Sequence, residues 1–313
     1  MNILHAKSSC CHAQIWHHGI RRRRCSECGR TWVVRKKRRG RKRNRCTGKK
    51  VIGYFEHRVR TVSKYQLRQE LKYFLAHTPQ QVVPLRKKLI VIADAFYARV
   101  EKKRVTVYIT LIRPVDDSTA IILPPTLGGS VESYEGWRAH FGSVPPRITR
   151  RLVAAVCDGR TGLVALLREH DLVIQRCHFH FLARLQMKRS KLPSSRHYGE
   201  GVRLYHLAQA ALTAPESVAK TARNKLVLEA RGAPRGLRTV LSGFVVNYED
   251  YRAYQRYPLL RLPRTTGSAE SLISSIRDLL RQLRGVRTRV ALEKWLIAYF
   301  KYRRTIQCNS QHK

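Results

Sequence analysis

Two unbroken apolar runs limit the folds open to this chain more than any other part of it. They are LIVIADAF at Leu89–Phe96 and RLVAAVC at Arg151–Cys157, and the second is followed directly by Asp158 and Gly159. A short, unbroken apolar run is typical of a strand buried on both faces, as in a sheet that helices cover on each side. We therefore predict an α/β protein in which these runs form central strands.

The residues around the two runs predict the order of the other elements of the sheet. Alternating and β-branched residues predict strands at Lys103–Ile112, Thr119–Leu123 and Leu172–Cys177, and helical patterns are found at Ser130–Phe141, Thr161–His170 and Phe179–Lys188. Three meandering strands, followed by two strands that helices separate, are the element order of the ribonuclease H-like fold. We expect that fold here, with a mixed sheet.

The rest of the chain predicts helices and a modular organisation. Residues 189–263 carry helical patterns only, and two further helices are predicted at Ala269–Leu283 and Thr288–Tyr302. A helix at Ser63–His77, with Ser63 as its N-cap, could belong to a helix-turn-helix. We expect a zinc-ribbon-like basic DNA-binding module at 1–45, a helical linker at 46–86, the first part of the core at 87–188, an all-helical insertion at 189–263, and the C-terminal helices of the core at 264–313.

The charge of the chain predicts the class of its partner. The formal net charge is +43, from 63 Lys and Arg against 20 Asp and Glu, and it indicates that the partner of the chain is a polyanion. A content of 43% hydrophobic residues excludes a disordered basic tail. No run reaches the ~20 apolar residues of a membrane span, and the first residues do not resemble a signal peptide. We expect a cytoplasmic, nucleoid-associated protein that binds double-stranded DNA and not a membrane.

The N-terminal cysteines predict a metal site. Cys25 and Cys28 form a CxxC knuckle followed by Gly29, a spacing that lets both thiolates reach one tetrahedral zinc. Cys10 and Cys11 are the other candidate ligands. Because adjacent cysteines rarely bind one zinc together, one of them would be joined by a histidine, from the set His5, His12, His17 and His18. The alternative is a degenerate ribbon that folds without metal.

A basic segment follows this knuckle. The residues from 35 to 45 read RKKRRGRKRNR, without the Asn, Gln and aromatic pattern that base readout or stacking requires. We expect an arm that contacts phosphates, through Arg35, Lys36, Lys37, Arg38, Arg39, Arg41, Lys42 and Arg43. The alternatives are a solvated linker and an arm that enters the minor groove.

Three acidic residues are the candidates for catalysis. Asp94 is expected to end the first buried strand and Asp158 the fourth, and in the expected sheet these strands are parallel neighbours. Glu270, near the start of a helix, could complete a metal site. Each residue could instead have a structural role. The aspartates could be turn residues or helix N-caps, and Glu270 could be the acid of a capping box. The acids not expected in the site are Asp116, Asp117, Asp171, Glu249 and Asp250.

The order of these motifs carries a resemblance to a known family. The segments LIVIAD ending at Asp94, AAVCDG around Asp158, RCHFH ending at His180 and TTGSAES around Glu270 resemble the Mutator-like DDE transposases of the bacterial and archaeal insertion-sequence type. In that superfamily a C/D-x-x-H signature follows the second Asp, and here Cys177 and His180 stand at that spacing. A helical insertion precedes the Glu there, as it is expected to here.

The resemblance implies an enzyme that cuts and joins DNA at the terminal inverted repeats of its element. Asp94, Asp158 and Glu270 would hold two Mg²⁺ or Mn²⁺ ions about 3.5–4 Å apart, a structural Zn²⁺ would be a second cofactor, and the protein would form a homo-oligomer on DNA. Cys177 and His180 would shape the site and contact DNA; the alternatives are a core pair or a zinc pair. Two other functions stay open, an inactive domesticated regulator and a ribonuclease H-like nuclease.

Overall fold

The computed structural model describes residues 4–7, 10–11, 13–18, 22–33, 46–58, 62–79, 87–192, 198–283 and 286–308. The chain divides into two compact units, Met1–Cys46 and Thr47–Lys313. The finer division of the second unit into a core and an insertion stays a prediction.

The N-terminal unit is a four-stranded antiparallel sheet in the order β1-β2-β3-β4. Its strands are β1 (Leu4–Lys7), β2 (Gln14–His17), β3 (Arg22–Cys25) and β4 (Thr31–Val33). Ile15 of β2 lies opposite Cys25 of β3, and both side chains are buried. Ile15 and Cys25 are the buried apolar side chains among the described residues of this unit, and a small module with a core of that size is commonly stabilised by a metal.

The second unit is built on a seven-stranded mixed sheet. Its path runs β10-β9-β5-β6-β7-β11, and β8 pairs with β6. The strands are β5 (Leu89–Val100), β6 (Lys103–Pro114), β7 (Thr119–Ile122), β8 (Thr126–Leu127), β9 (Leu152–Cys157), β10 (Val173–Arg176) and β11 (Thr305–Gln307). The hairpin partners β5, β6 and β7 are antiparallel, whereas β5, β9 and β10 are parallel. The predicted mixed α/β class is confirmed.

Thirteen helices are found in the described part of this unit. They are α1 (Lys49–Phe55), α2 (Lys64–His77), α3 (Tyr134–Gly142), α4 (Pro146–Thr149), α5 (Thr161–Glu169), α6 (His178–Arg189), α7 (Tyr198–Thr213), α8 (Glu216–Glu229), α9 (Arg235–Val246), α10 (Tyr248–Tyr251), α11 (Ala253–Arg256), α12 (Gly267–Gln282) and α13 (Arg289–Arg303). The segment from α6 to α12 contains helices alone among its described residues, as predicted.

The central strand β5 is buried on both faces, as its sequence predicts. Ile90 and Ile92 belong to one hydrophobic cluster, which includes residues of α1, α2, α12 and α13. Leu89 and Val91 belong to a second cluster with residues of α3 and α5. Because neighbouring residues of a strand point to opposite faces, this division means that helices cover the sheet on both sides.

Several element boundaries differ from the predicted ones. The helix expected from Ser130 begins at Tyr134, because the Ser133 side chain accepts a hydrogen bond from the Gly136 N–H and caps it. The strand β11 has no clear signal in the sequence and is held by antiparallel pairing with β7. The helix predicted from Ser63 is confirmed, and the Ser63 Oγ accepts a hydrogen bond from the Gln66 N–H.

Buried hydrogen bonds join the end of the helical segment, just before α12, to the strand β10 of the sheet. The Gln175 side chain on β10 donates to the Tyr251 carbonyl and accepts from the Tyr254 N–H. The buried Arg252 guanidinium donates to the carbonyls of Ala211 on α7 and of Ala214, just after the end of that helix. These contacts fix where the chain re-enters the core. None of the helices in the described ranges is long and apolar enough to cross a membrane.

Candidate functional site

The register of the parallel strands β5 and β9 brings Asp94 and Asp158 together. The last paired residues of the two strands are Ala93 and Cys157, so the aspartates occupy the next position on each. The prediction that Asp94 ends its strand is wrong, because β5 continues to Val100 as one side of its hairpin with β6. Asp94 instead marks the point where pairing with β9 stops, and the register places it next to Asp158 at the adjoining end of β9.

Asp94 is a buried carboxyl group in an acidic surrounding. Its side chain is 7% exposed, and Oδ1 accepts a hydrogen bond of 2.8 Å from the Ala95 N–H. Burial, and after it the charge of Asp158, raises the pKa of Asp94 to about 8, and the charges of Glu270 and Glu132 act in the same direction. Carboxylates that interact in this way are stabilised by a cation between them. Asp94 has no ion pair within the described residues.

Asp158 is held in place by the loop that follows it. Its Oδ1 accepts a hydrogen bond from the Arg160 N–H at 3.0 Å, and Oδ2 lies 3.3 Å from the Arg160 Nε. Gly159 between them has φ +86°, and a Cβ there would lie 3.0 Å from an Arg176 Nη, so glycine suits this turn. The Arg184 guanidinium also donates to the Asp158 carbonyl. The turn interpretation of Asp158 is therefore correct, and it is compatible with a ligand role.

A fourth acid, Glu132, lies beside this group and was not identified from the sequence. Its Oε1 accepts a hydrogen bond of 2.8 Å from the Trp137 indole N–H, and Oε2 lies 3.8 Å from the Arg160 Nε. Burial raises the pKa of Glu132, and the charge of Asp158 adds to the effect. Glu132 precedes α3 in an irregular segment, so no periodic pattern marked it.

Glu270 enters the site from the first turn of α12, whose N-cap is Thr266. Its Oε1 accepts a hydrogen bond of 2.9 Å from the Thr266 hydroxyl. The capping-box alternative for Glu270 is wrong, because that motif requires the Glu to bond the N-cap N–H. The Thr266 N–H instead donates to the Cys177 Sγ at 3.3 Å.

Cys177 and His180 contact this same end of α12. Cys177 is fully buried as the N-cap of α6, and His180 lies in the first turn of that helix. The His180 Nδ1 lies 3.5 Å from the Glu270 Oε1. Burial raises the pKa of the Cys177 thiol. The DNA contact expected of the pair stays a prediction. Because Cys177 is fully buried, the partly exposed His180 is the member of the pair that DNA could reach.

The structure groups the candidate metal ligands differently from the prediction. The ligand atoms of Cys177, His180 and Glu270 all lie within 4.8 Å of one another. Among the described residues, Asp94, Asp158 and Glu270 do not form an equally compact set. The reason is that the Glu270 carboxylate is turned toward Thr266 and His180, and the Asp158 carboxylate toward Arg160.

A cavity of about 770 Å³ opens next to Glu270. The residues that line it include the half-exposed Phe179, two arginines, Arg264 and Arg303, and Ser271. Guanidinium groups and hydroxyls are the side chains that bind phosphate oxygens. The surroundings of Glu270 therefore suit an anionic ligand.

The four N-terminal cysteines come together in their own unit. The ligand atoms of Cys10, Cys11, Cys25 and Cys28 all lie within 4.8 Å of one another, and the Cys10 and Cys28 sulfurs are 3.5 Å apart. Both adjacent cysteines thus belong to the cluster, and the four sulfurs alone form a set that tetrahedral zinc accepts. The side chains of the candidate ligands His5, His12 and His17 lie outside the described residues.

Other predicted residues lie away from the site or outside the described part of the chain. The proposed phosphate-gripping residues lie outside it, and these are Arg35, Lys36, Lys37, Arg38, Arg39, Arg41, Lys42 and Arg43. Asp116 pairs with Lys87 at 2.9 Å, as expected of an exposed turn acid. Asp250 accepts from Arg168 and Arg176 and so has a structural role.

No protein-family model matches the chain, and no curated protein matches it either. Among solved structures, the chain is similar to one in the Drosophila P element transposase strand transfer complex. That similarity has a TM-score of 0.42 and 10% sequence identity, and it covers 81% of this chain and 88% of that chain.

Proposed function

We propose that this protein is a transposase that cuts and joins DNA in a divalent-metal-dependent reaction, at the terminal inverted repeats of an insertion sequence of the Mutator-like type. The observation that supports the proposal is the register of β5 and β9, which puts Asp94 and Asp158 at corresponding positions just beyond the last paired residues of two parallel strands. The charge of Asp158 acts on the Asp94 carboxyl group. Glu270 from α12 contributes a third negative charge to the same group.

The sheet topology supports a ribonuclease H-like core. The first three strands of the core form the meander β5-β6-β7, and β9 and β10 continue the sheet from β5 in parallel. This is the arrangement expected of that fold from the sequence, in which the first and fourth strands are parallel neighbours. In this arrangement the two aspartates follow neighbouring parallel strands, which supports their assignment as a catalytic pair.

The chemistry of the donors fits Mg²⁺ or Mn²⁺. Asp94, Asp158 and Glu270 offer carboxylate oxygens, the ligand type that these hard cations prefer. Bound there, divalent ions would activate an attacking hydroxyl and neutralise charge on the phosphate. The chain's own residues orient the ligands, since the Ala95 N–H holds Asp94 and Arg160 holds Asp158.

The charge of the chain and the cavity beside Glu270 support DNA as the substrate. The net charge of +43 favours a polyanionic binding partner such as DNA. Arg264 and Arg303 line the cavity next to the candidate catalytic Glu270. A regulator that only bound DNA would not require a buried carboxyl group in an acidic cluster, and this favours the enzyme over the domesticated alternative.

The test uses a linear DNA fragment that carries the gene together with its natural flanking sequence, incubated with the protein and Mg²⁺. We expect breaks at the two boundaries of the element and joining of the released ends to a target plasmid. Parallel incubations contain an RNA–DNA hybrid and a branched junction. Cleavage confined to these would favour the nuclease, and tight binding of the flanks without any cleavage would favour the regulator.

A further inference from the structure

The hydroxyl group of Thr266 lies at the meeting point of three side chains. Its Oγ1 is 2.9 Å from the Glu270 Oε1 and 3.4 Å from the His180 Nδ1. The Cys177 Sγ lies 3.4 Å from the same oxygen. Thr266 itself is fully buried. This oxygen is therefore the centre of the compact group formed by Cys177, His180 and Glu270.

The donors and acceptors around this hydroxyl can all be matched. A threonine hydroxyl has one proton to donate and two lone pairs. The shortest contact, to the Glu270 carboxylate, takes the proton, because a charged acceptor makes the stronger hydrogen bond. The His180 Nδ1–H can then donate to a lone pair of the hydroxyl, and the Cys177 Sγ lies 3.4 Å from the same oxygen. The Thr266 N–H completes the set by donating to the Cys177 sulfur.

The Thr266 hydroxyl does not make the N-cap hydrogen bond that is usual for a threonine at the start of a helix. Thr266 is the N-cap of α12, but its side chain makes no cap hydrogen bond. In the same chain the N-cap hydroxyls of Ser63, Ser133 and Thr288 each accept a hydrogen bond from the first turn of their helix. The loss of an N-cap hydrogen bond destabilises a helix. The missing cap bond indicates that the hydroxyl has another role, in its hydrogen bond to Glu270.

The same geometry disfavours a metal ion bound by Cys177, His180 and Glu270. These three groups would suit a zinc ion by chemical type. The Thr266 hydroxyl, however, already lies at hydrogen-bond distance from each of them. An ion bound by the same three atoms would compete with these hydrogen bonds.

We propose that Thr266 is a positioning residue, which holds Oε1 of Glu270 and so directs Oε2 to the metal site of Asp94 and Asp158. Cys177 and His180 support it by fixing the Thr266 hydroxyl. The proposal rests on the function proposed above, since it concerns the same site. Outer partners that orient a metal ligand affect metal affinity by about 10–100-fold when they are removed.

The experiment measures Mn²⁺ binding by calorimetry for the wild type, Thr266→Val and Thr266→Ser. Valine keeps the shape of threonine but has no hydroxyl, whereas serine keeps the hydroxyl. We expect Thr266→Val to weaken Mn²⁺ binding about tenfold or more, and Thr266→Ser to bind like the wild type. DNA cleavage, measured as a function of Mn²⁺ concentration, should shift in the same direction.

Thr106→Val is the matched control, because Thr106 is also fully buried and its hydroxyl has no hydrogen-bond partner among the described residues. It should leave Mn²⁺ binding unchanged, and thermal unfolding of each variant shows whether it is folded. Equal Mn²⁺ affinity in a folded Thr266→Val overturns the positioning role while the proposed function stands. A wild type that binds no Mn²⁺ overturns both. An equal loss in the serine variant also overturns the role of the hydroxyl.

Discussion

At the scale of single residues, the protein has few acids, and each acid of the candidate site is oriented by a hydrogen bond from a neutral or basic group. Asp94 is oriented by a backbone N–H, Asp158 by Arg160 and Glu270 by Thr266. Elsewhere in the core, the titratable side chain of His140 is buried, and among the described residues its ring nitrogens have hydroxyl groups as hydrogen-bond partners. His140 has a ring nitrogen 2.7 Å from the Thr110 hydroxyl and the other 2.8 Å from the Thr126 hydroxyl.

The burial of His140 predicts a dependence of stability on pH. Desolvation lowers its pKa from 6.5 to about 4, so the unfolded chain takes up a proton more readily than the folded one. The associated stability is complete above pH 6.5 and is lost as the pH falls toward 4. The loss amounts to about 3 kcal/mol, from about 1.4 kcal/mol per pKa unit.

Chemical denaturation of the wild type and His140→Gln between pH 7 and 4 measures this effect. Subtracting the variant removes the contributions of other groups, including Asp94, whose raised pKa acts in the opposite direction. We expect the stability advantage of the wild type to shrink as the pH falls. An advantage that is the same at both ends of the range would contradict the assignment.

At the scale of elements, close packing fixes the helices that flank the site. Gly162 on α5 lies against the start of α3, and a Cβ at this position would be 2.8 Å from the Tyr134 backbone nitrogen. The Glu132 segment immediately precedes this contact. The approach of α3 to α5 therefore helps to determine where Glu132 and Arg160 meet Asp158.

Gly162→Ala should destabilise the protein by about 1–3 kcal/mol, because the backbone of α3 must move to admit the methyl group. Gly142→Ala is the control, since no described atom lies within 4 Å of the position of its Cβ. It should be neutral or stabilise the fold by about 0.5 kcal/mol. Equal unfolding temperatures for the two variants would show that the contact between α3 and α5 is not as close as described.

The N-terminal sheet is the second element-scale case, because β2 and β3 hold the cysteine cluster at one end. We expect one zinc ion per chain in the purified protein, and loss of the fold of this unit when a chelator removes it. Elemental analysis and circular dichroism of an isolated 1–46 peptide, with and without zinc, measure both. A folded unit with no zinc would favour the degenerate ribbon.

The central sheet could be predicted from the sequence, but the hydrogen bonds of the site could not. Unbroken apolar runs identified β5 and β9, and the expected parallel neighbours followed from the fold class. The end of β5 was missed because Ala95–Val100 depends on pairing with β6. The contact of Thr266 with Cys177 joins residues far apart in the sequence, and such a bond leaves no periodic pattern. The cysteine cluster was predicted, although not that both adjacent cysteines would join it.

At the scale of the whole molecule, the excess of positive charge is the feature that favours DNA as the proposed partner. The segment from Arg35 to Arg45 supplies a dense part of that charge. We expect it to contact phosphates rather than base edges, because Asn44 is its one Asn, Gln or aromatic residue and it lacks the interleaved pattern that base readout or stacking requires. Each phosphate contact on duplex DNA changes the slope of log K against log salt by about 0.9.

Changing Lys36, Lys37, Arg38 and Arg39 together to Ala should flatten that slope by roughly 3–4 units. The variant should bind terminal-repeat DNA and scrambled DNA more weakly by similar factors. Titrations of both duplexes at several salt concentrations make the comparison. A loss confined to the repeat, with an unchanged slope, would indicate minor-groove readout instead.

The central claim is that Asp94, Asp158 and Glu270 bind the divalent ions for DNA cleavage. The most direct measurement is Mn²⁺ binding and Mn²⁺-dependent cleavage by Asp94→Asn, Asp158→Asn and Glu270→Gln, with Asp116→Asn as a control at an exposed turn. We predict that each site variant loses cleavage and has a reduced Mn²⁺ affinity, while DNA binding and the control are unchanged. Wild-type Mn²⁺ affinity and cleavage in any one of the three variants would contradict the account.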